Sequence, residues 1–350
     1  MIRYGAAPGG DGGGTRTVPS SMARAREQLV PALRAAVERL SPEVRRVAAY
    51  HLGFADADGF PANGDGGKAV RPALAFLSAE AAGAPASTGL PGAVAVELVH
   101  NFSLLHDDVM DQDLERRHRP TAWALFGVGP AILAGDALHT LAHQVLLEAP
   151  RSGGVAASAA LARATADMIA GQGQDLGFES RLDVDVEECL RMCAHKTGAL
   201  LSCAASVGAI LAGASPPVVE ALAEFGVRLG MAFQAVDDVL GIWGRSEVTG
   251  KPAANDLRQH KKSLPVVAAL RAGGPASERL ARLLANGALS EADVATGVSL
   301  VEEAGGRRFA VTEAERQLDR ALAAVERVPL EPEARDQLGE VARFVAAREF

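Results

Sequence analysis

Apolar residues recur at helical spacing along almost the whole chain, and no stretch alternates with period two for long enough to make a strand. Leu29, Leu33, Val37 and Leu40 share one helical face near the start; Val311, Ala314, Leu318 and Leu322 do so near the end. Clusters of glycine, proline and small polar residues at 56–67, 82–92, 149–154, 213–217 and 271–277 cut this pattern into helix-length pieces. Aromatic residues are 4% of the chain, and Ala and Leu dominate, which favours helix over sheet. No internal repeat of solenoid period is present. The pattern predicts an all-α fold, one helical bundle of about ten or more helices over residues 25–350. Apolar residues make up 48% of 350, enough for a sizeable core.

Residues 1–24 read as a disordered leader. They are rich in Gly, Pro and Ser and have no apolar core of signal-peptide length. Residues 197–219 carry no charge, but Gly, Ala and Ser dilute their hydrophobicity and Pro216-Pro217 interrupts them, so they read as a buried helix, not a membrane span. A net charge of −8 argues against a nucleic-acid partner and against a polybasic membrane anchor. Three cysteines make no disulfide scaffold and point to a reducing, cytoplasmic setting. Cys189, Cys193 and His195 lie at helix spacing with no second ligand pair, so they read as core thiols rather than a zinc site.

The chemistry is concentrated in two acidic stretches. LLHDDVMDQD (104–113) sets Asp107, Asp108 and Asp111 in a DDxxD pattern behind an apolar run. Residues four apart on a helix lie about 5–6 Å apart on one face, so Asp107 and Asp111 point the same way. Unpaired, they repel. A divalent cation resolves the conflict, and Mg²⁺ suits it because Mg²⁺ takes one or two carboxylates and completes its octahedron with water and phosphate oxygens. FQAVDDVLGIWG (233–244) repeats the theme with Gln234, Asp237 and Asp238. Acids on two facing helices are how bundles build metal sites. Around them stand cations: Lys68 and Arg71 in GGKAVRP, Arg116 and Arg117 in LERRHRPT, Lys196 beside Thr197, Lys251 in TGKP, and Lys261 and Lys262 in HKKSLP. Cations and glycine turns beside Mg²⁺-binding acids suggest a substrate with several phosphates.

As a set, GGKxxRP, HxxSLLHDDVMDxDxxRRxxPT, GQxxDL, KTG, FQxxDD and TGKP resemble the trans-isoprenyl diphosphate synthases, over essentially everything after residue 25. The resemblance implies helices around a central apolar pocket, a homodimer, and three Mg²⁺ ions per active site. It implies metal binding by Asp107, Asp111 and Asp237, with Asp108 and Asp238 supporting. It implies allylic diphosphate binding by Arg116, Lys196, Thr197, Gln234, Lys251 and Lys261. For isopentenyl diphosphate it implies Lys68, Arg71, His100 and Arg117, and near the metals Gln172 and Asp175. Phe102 and Ser103 stand where the family sets its pocket floor; a bulky Phe102 beside a small Ser103 resembles short-chain synthases making the twenty-carbon, geranylgeranyl product.

The mechanism implied is ionisation of the allylic diphosphate, attack by the double bond of isopentenyl diphosphate, and proton loss. Two departures lie in one region: Gly241 ends the second motif where many members carry a third acid, and Arg245 replaces a usual acid. Ala69 replaces a frequent basic residue. A class I terpene cyclase shares the fold and DDxxD but needs no isopentenyl site, and the cations Lys68, Arg71 and Arg117 with His100 speak against it. A non-catalytic subunit finds support only in Gly241 and Arg245.

Overall fold

The computed structural model describes residues 17–62, 68–149, 153–244, 253–285 and 287–346. Helix α1 (Ser20–Val37) begins inside the segment expected to be disordered through residue 24. Met22, 1% exposed, and Ala25 continue the apolar stripe of Leu29 and Leu33 into the core, so burial carries the helix back past the polar flank. Leu40 falls just beyond the helix. The leader before residue 17 lies outside the described residues. Helix α2 (Pro42–His51) and α3 (Val70–Ala81) follow. The break at 82–92 is shorter than its composition suggests: Ala86–Gly89 form a 3₁₀ turn, and Pro91 sits in the first turn of α4 (Leu90–Met110), where its missing N–H costs nothing. Every residue from 93 to 99 of α4 is buried, so this helix is enclosed on all sides. It packs against α1 and α3.

A two-residue hairpin, β1 (Glu115–Arg116) and β2 (Arg119–Pro120), follows α4. Then come α5 (Ala122–Phe126), α6 (Val128–Leu147), α7 (Gly153–Glu179) and α8 (Val186–Cys193). Asp185 and Glu188 form a reciprocal capping box at the start of α8. A π-turn (Ala194–Gly198) joins α8 to α9 (Ala199–Ala212). The charge-free stretch is thus two helices: Gly213, at φ +74°, closes α9, and Pro216 opens α10 (Pro216–Trp243). Among the described residues no helix is long and apolar enough to cross a membrane.

The chain finishes with α11 (Asn255–Arg258), α12 (Leu264–Arg271), α13 (Gly274–Ala285), α14 (Glu291–Glu303), α15 (Gly306–Glu326) and α16 (Pro332–Ala346). The main core gathers side chains from α1, α3, α4, α6, α9 and α16. A second core lies under α8, α12 and α15 and holds Cys189 and Cys193 as buried free thiols. Helix α10 belongs to both: Leu222, Phe225 and Leu229 point into the first, Val236 and Val239 into the second. The acidic stretches therefore sit at the ends of two of the most deeply packed helices.

Candidate active site

Asp107 and Asp108 lie in the last turn of α4, and Asp111 closes it, its N–H donating to the Asp107 carbonyl. The three acids do different things. Asp108 turns inward, 1% exposed, and Arg116 from β1 donates to its Oδ1 through both Nε and Nη2 at 2.7 Å. Asp107 is half-buried and Asp111 exposed, on the face they share. Burial pushes the Asp107 carboxyl up to about 6, and Asp111 and Asp108 push the same way against the pull of Lys196 and Arg116. Burial also raises Asp111 and Asp108. These acids stand at a helix C-terminus, where the backbone dipole is negative too. The carboxylates and the dipole together favour an incoming cation.

The second pair divides in the same manner. Asp238 is 3% exposed and fully bonded: Gln234 Nε2 donates to Oδ1 at 2.7 Å and the Leu264 N–H to Oδ2 at 2.8 Å. Thr197 Oγ1 donates to Gln234 Oε1 at 2.7 Å, so one chain of hydrogen bonds ties the π-turn to α10 and α12. Burial raises Asp238 to about 7 despite Lys261. Its neighbour Asp237 faces outward. Between the two acidic helices stands Lys261. Burial works against its charge, but Asp256, Asp238, Asp175 and Asp237 together hold it above the ordinary lysine value, and it pulls on Asp111 from the other side. Lys196 Nζ donates to Asp175 Oδ2 at 2.5 Å and pulls on both Asp107 and Asp111. Gln172, on the same helix as Asp175, buries an Oε1 with no hydrogen-bond partner.

Two glycines set the position of Lys196. A Cβ at Gly171 on α7 would meet Lys196 Cα at 2.7 Å, and one at Gly230 on α10 would meet Gly198 Cα at 2.6 Å. The π-turn is therefore clamped between α7 and α10, backbone against backbone. Among the described residues, no three acid, histidine or cysteine side chains come close enough together to cage an ion unaided. That fits an ion which takes one or two carboxylates and leaves its other positions to water and phosphate.

A cleft of about 990 Å³ opens beside Asp108, lined among others by Met22 and Arg26 of α1, His51 of α2, Lys68, Arg116 and Arg117. Its lining mixes the cations Arg26, Lys68, Arg116, Arg117 and Arg119 with apolar residues such as Leu52 and Leu104. Arg117 and His118 form the hairpin turn, both at positive φ (+53° and +59°), and Arg117 lines the same cleft as Arg116. Ala69, the position that departs from the family pattern, adopts φ +52° directly before α3, between Lys68 and Arg71. The Lys68 Nζ lies 5.5 Å from the Phe344 ring centre. Arg71 is half-buried with an enclosed Nε that has no hydrogen-bond partner; burial lowers its pKa and Glu97 of α4 opposes that. Burial, then Arg71, Arg117 and Arg116, hold His100 well below its usual value.

Sequence reading overlooked several members of this site. His51 is pushed down to about 3 by burial and then by Arg116 and Arg117. Glu97 balances Arg71 and accepts from Asn101 Nδ2 at 3.2 Å. A lone acid in the run GAVAVELVHN was the available signal for Glu97; nothing in the sequence marked His51. Phe102 is buried and stacks on His139 of α6 at 5.1 Å, with His106 edge-on at 4.8 Å. Ser103 Oγ donates back to the His100 carbonyl at 2.9 Å. Lys251 and Arg245 lie outside the described residues.

Comparison with known proteins places the chain in a family. Residues 62–301 match the family model described as polyprenyl synthetase. A (2E,6E)-farnesyl diphosphate synthase of Mycobacterium tuberculosis is 48% identical over 338 residues, 95% of this chain and 94% of its own length. A geranylgeranyl diphosphate synthase of the same organism is 44% identical over 304 residues, 86% of this chain and 87% of its own. The crystal structure of a polyprenyl synthetase from Streptomyces coelicolor superposes with a TM-score of 0.91 at 53% identity, covering 95% of this chain and all of that one. The likeness runs through both acidic helices and along most of each relative, and the chain belongs to the polyprenyl synthetase family of trans-prenyltransferases.

Proposed function

We propose that the protein condenses isopentenyl diphosphate with an allylic diphosphate to give a short all-trans product, the twenty-carbon geranylgeranyl diphosphate. The observation that carries this reading is the placement of Lys196 and Lys261. Each lies within electrostatic reach of the first acidic helix, and Lys261 also of the second, so a diphosphate between the helices meets fixed positive charge from both.

The acids fit Mg²⁺: Asp107, Asp111 and Asp237 are the outward members of their motifs, and three ions match the metals expected for the family. Bound there, Mg²⁺ supplies Lewis-acid charge to the leaving diphosphate. The chain's own groups do the rest. Lys196, Lys261, Thr197 and Gln234 hold the allylic diphosphate so that charge growing on its bridging oxygen is met without reorganisation. Lys68 and Arg117, which line the cleft, hold the second diphosphate together with Arg71 and His100 behind them, which sets its double bond beside the breaking bond. Buried α4 excludes water that would trap the cation as an alcohol. Phe102, backed by His139, forms the floor that stops growth. A second copy of the chain covers the apolar positions Ile132 and Leu133 of α6 and Val155 and Ile169 of α7, which are exposed in the single chain.

The test is an incubation of the purified protein with Mg²⁺, labelled isopentenyl diphosphate and each of the five-, ten- and fifteen-carbon allylic diphosphates, with products sized after dephosphorylation. A twenty-carbon alcohol supports the reading. A fifteen-carbon alcohol keeps the chemistry and replaces the product. Unlabelled cyclic hydrocarbon moves the protein to the cyclases.

A further inference from the structure

Lys262 follows Lys261 in HKKSLP, yet the neighbouring side chains do different things. Lys261 is half-buried. Lys262 is 3% exposed, and its Nζ donates to the Glu179 carbonyl at 3.1 Å and to the His260 carbonyl at 2.8 Å. Glu179 is the last residue of α7, where carbonyls lack helical partners and positive charge is favoured. His260 turns the chain after α11 at φ +52°, a left-handed conformation taken without the freedom of glycine. The Lys262 carbonyl accepts from Cys189 Sγ of α8 at 3.6 Å, and further on the Leu264 N–H holds Asp238 of α10. The segment 260–264 is therefore stitched to α7 and α8 on one side and to the second acidic helix on the other, with Lys261 inside it.

We propose that Lys262 is a positioning residue rather than a phosphate ligand: its ammonium ties the bend at His260 to the end of α7 and so fixes the backbone from which Lys261 reaches the allylic diphosphate. The link from Lys262 to Lys261 is covalent, through the peptide bond that joins them. This rests on the assignment of Lys261 to that diphosphate. A left-handed bend costs a residue other than glycine free energy, so without the ammonium it relaxes and carries Lys261 with it. Adjacent lysines thus divide the work, one holding the chain and the other meeting the substrate.

Lys262→Met, His260→Gly and the double variant His260→Gly/Lys262→Met are compared with the parent in steady-state kinetics. Calorimetric titration with inorganic diphosphate and Mg²⁺ runs in parallel. Lys262→Met is expected to raise the allylic KM about tenfold and to weaken diphosphate binding by about as much, while the isopentenyl KM stays within about twofold. Glycine takes the left-handed bend without strain, so the double variant is expected to return the allylic KM to within about threefold of the parent. An unchanged allylic KM in Lys262→Met overturns the proposal. So does a double variant no better than Lys262→Met, the result expected if the ammonium itself met the phosphates. His260→Gly alone is expected to leave the allylic KM within about twofold. A gain there equal to the recovery in the double variant overturns the claim that the bend is what Lys262 holds.

A role confined to packing would lower the denaturation midpoint and move both KM values together or neither. Should Lys262→Met fail to fold, judged by circular dichroism, Lys262→Gln, a shorter donor, is read in its place: the same split between the KM values supports the proposal, and equal movement of both overturns it. In a Lys261→Met background Lys262→Met is expected to weaken diphosphate binding no further; an undiminished loss overturns the claim that it acts through Lys261. Diphosphate titration needs no turnover, so it separates failure of this proposal from failure of the prenyl-transfer reading. If Lys261→Met leaves diphosphate binding intact, the assignment of Lys261 falls and this proposal with it. If Lys261→Met weakens binding and Lys262→Met does not, this proposal alone falls.

Discussion

Replacing Arg116 by alanine isolates what the inward acid of the first motif costs. Asp108 is 1% exposed, its Oδ1 is held only through Arg116 among the hydrogen bonds described, and its Oδ2 has no partner. Breaking a buried pair from one side leaves a buried charge uncompensated, which costs about 3–5 kcal/mol. The unfolding entropy is about 2.1 cal/mol/K per residue. Over 350 residues this amounts to roughly 0.7 kcal/mol/K, so the loss corresponds to a fall in Tm of about 4–7 °C. The double variant Asp108→Asn/Arg116→Met removes the charge and its partner together and is expected to regain most of the loss.

The pH dependence has a definite sign. Burial already raises Asp108, and without Arg116 it rises further. A raised carboxyl keeps a proton that the unfolded chain has released, so the deficit grows as pH climbs toward the folded value and shrinks in acid. Thermal unfolding of the three proteins by circular dichroism at about pH 5 and about pH 8 measures both effects. A Tm change below about 1 °C for Arg116→Ala, or a double variant no more stable than the single, would refute the claim that this pair braces the hairpin to α4.

Other outcomes follow from the same geometry. Gln234→Leu breaks the chain from Thr197 to Asp238 and leaves an Asp238 oxygen unpaired. It is expected to cost about 1–3 kcal/mol in chemical denaturation and to lower kcat, and a variant as stable as the parent sinks the network. Phe102→Ala opens the floor under His139 and is expected to lengthen the product by one or more five-carbon units; an unchanged product places the floor elsewhere. His51 and His100 are kept neutral by burial and by neighbouring arginines. Anionic diphosphate offsets those cations, raises both imidazoles and draws in protons at about pH 6. Calorimetry in two buffers is expected to show less proton uptake for His51→Asn than for the parent, and equal uptake removes His51 from the site.

Much of this was legible in the sequence because its determinants are local. Helical periodicity depends on near neighbours, and so does the common face of Asp107 and Asp111. The elements that escaped are those fixed by distant partners. Helix α1 starts at Ser20, within the polar flank, because Met22 finds the core, which no local preference encodes. Arg117 and His118 take positive φ without glycine because Tyr50, through its hydroxyl on Pro120 and the Arg119 guanidinium 4.4 Å over its ring, holds the hairpin from outside. The division of each Asp pair into an inward and an outward acid also required the partners, Arg116 for Asp108 and Leu264 for Asp238.

The π-turn at Ala194–Gly198 has a consequence for how this chain can change. Each residue of an α-helix advances the rotation by about 100°, so a wider turn in the middle of a rod takes up one extra residue and resets the angular phase of everything after it. The turn itself can thus present Lys196 to Asp175 and Thr197 to Gln234 while α9 buries Ala204, Ala205 and Val207 in the main core. Point substitutions on either side act independently of the other. A single-residue deletion within the turn would not be a local injury: it would rotate α9 by more than a quarter turn against α3 and α10, so length in this segment is held far more tightly than identity.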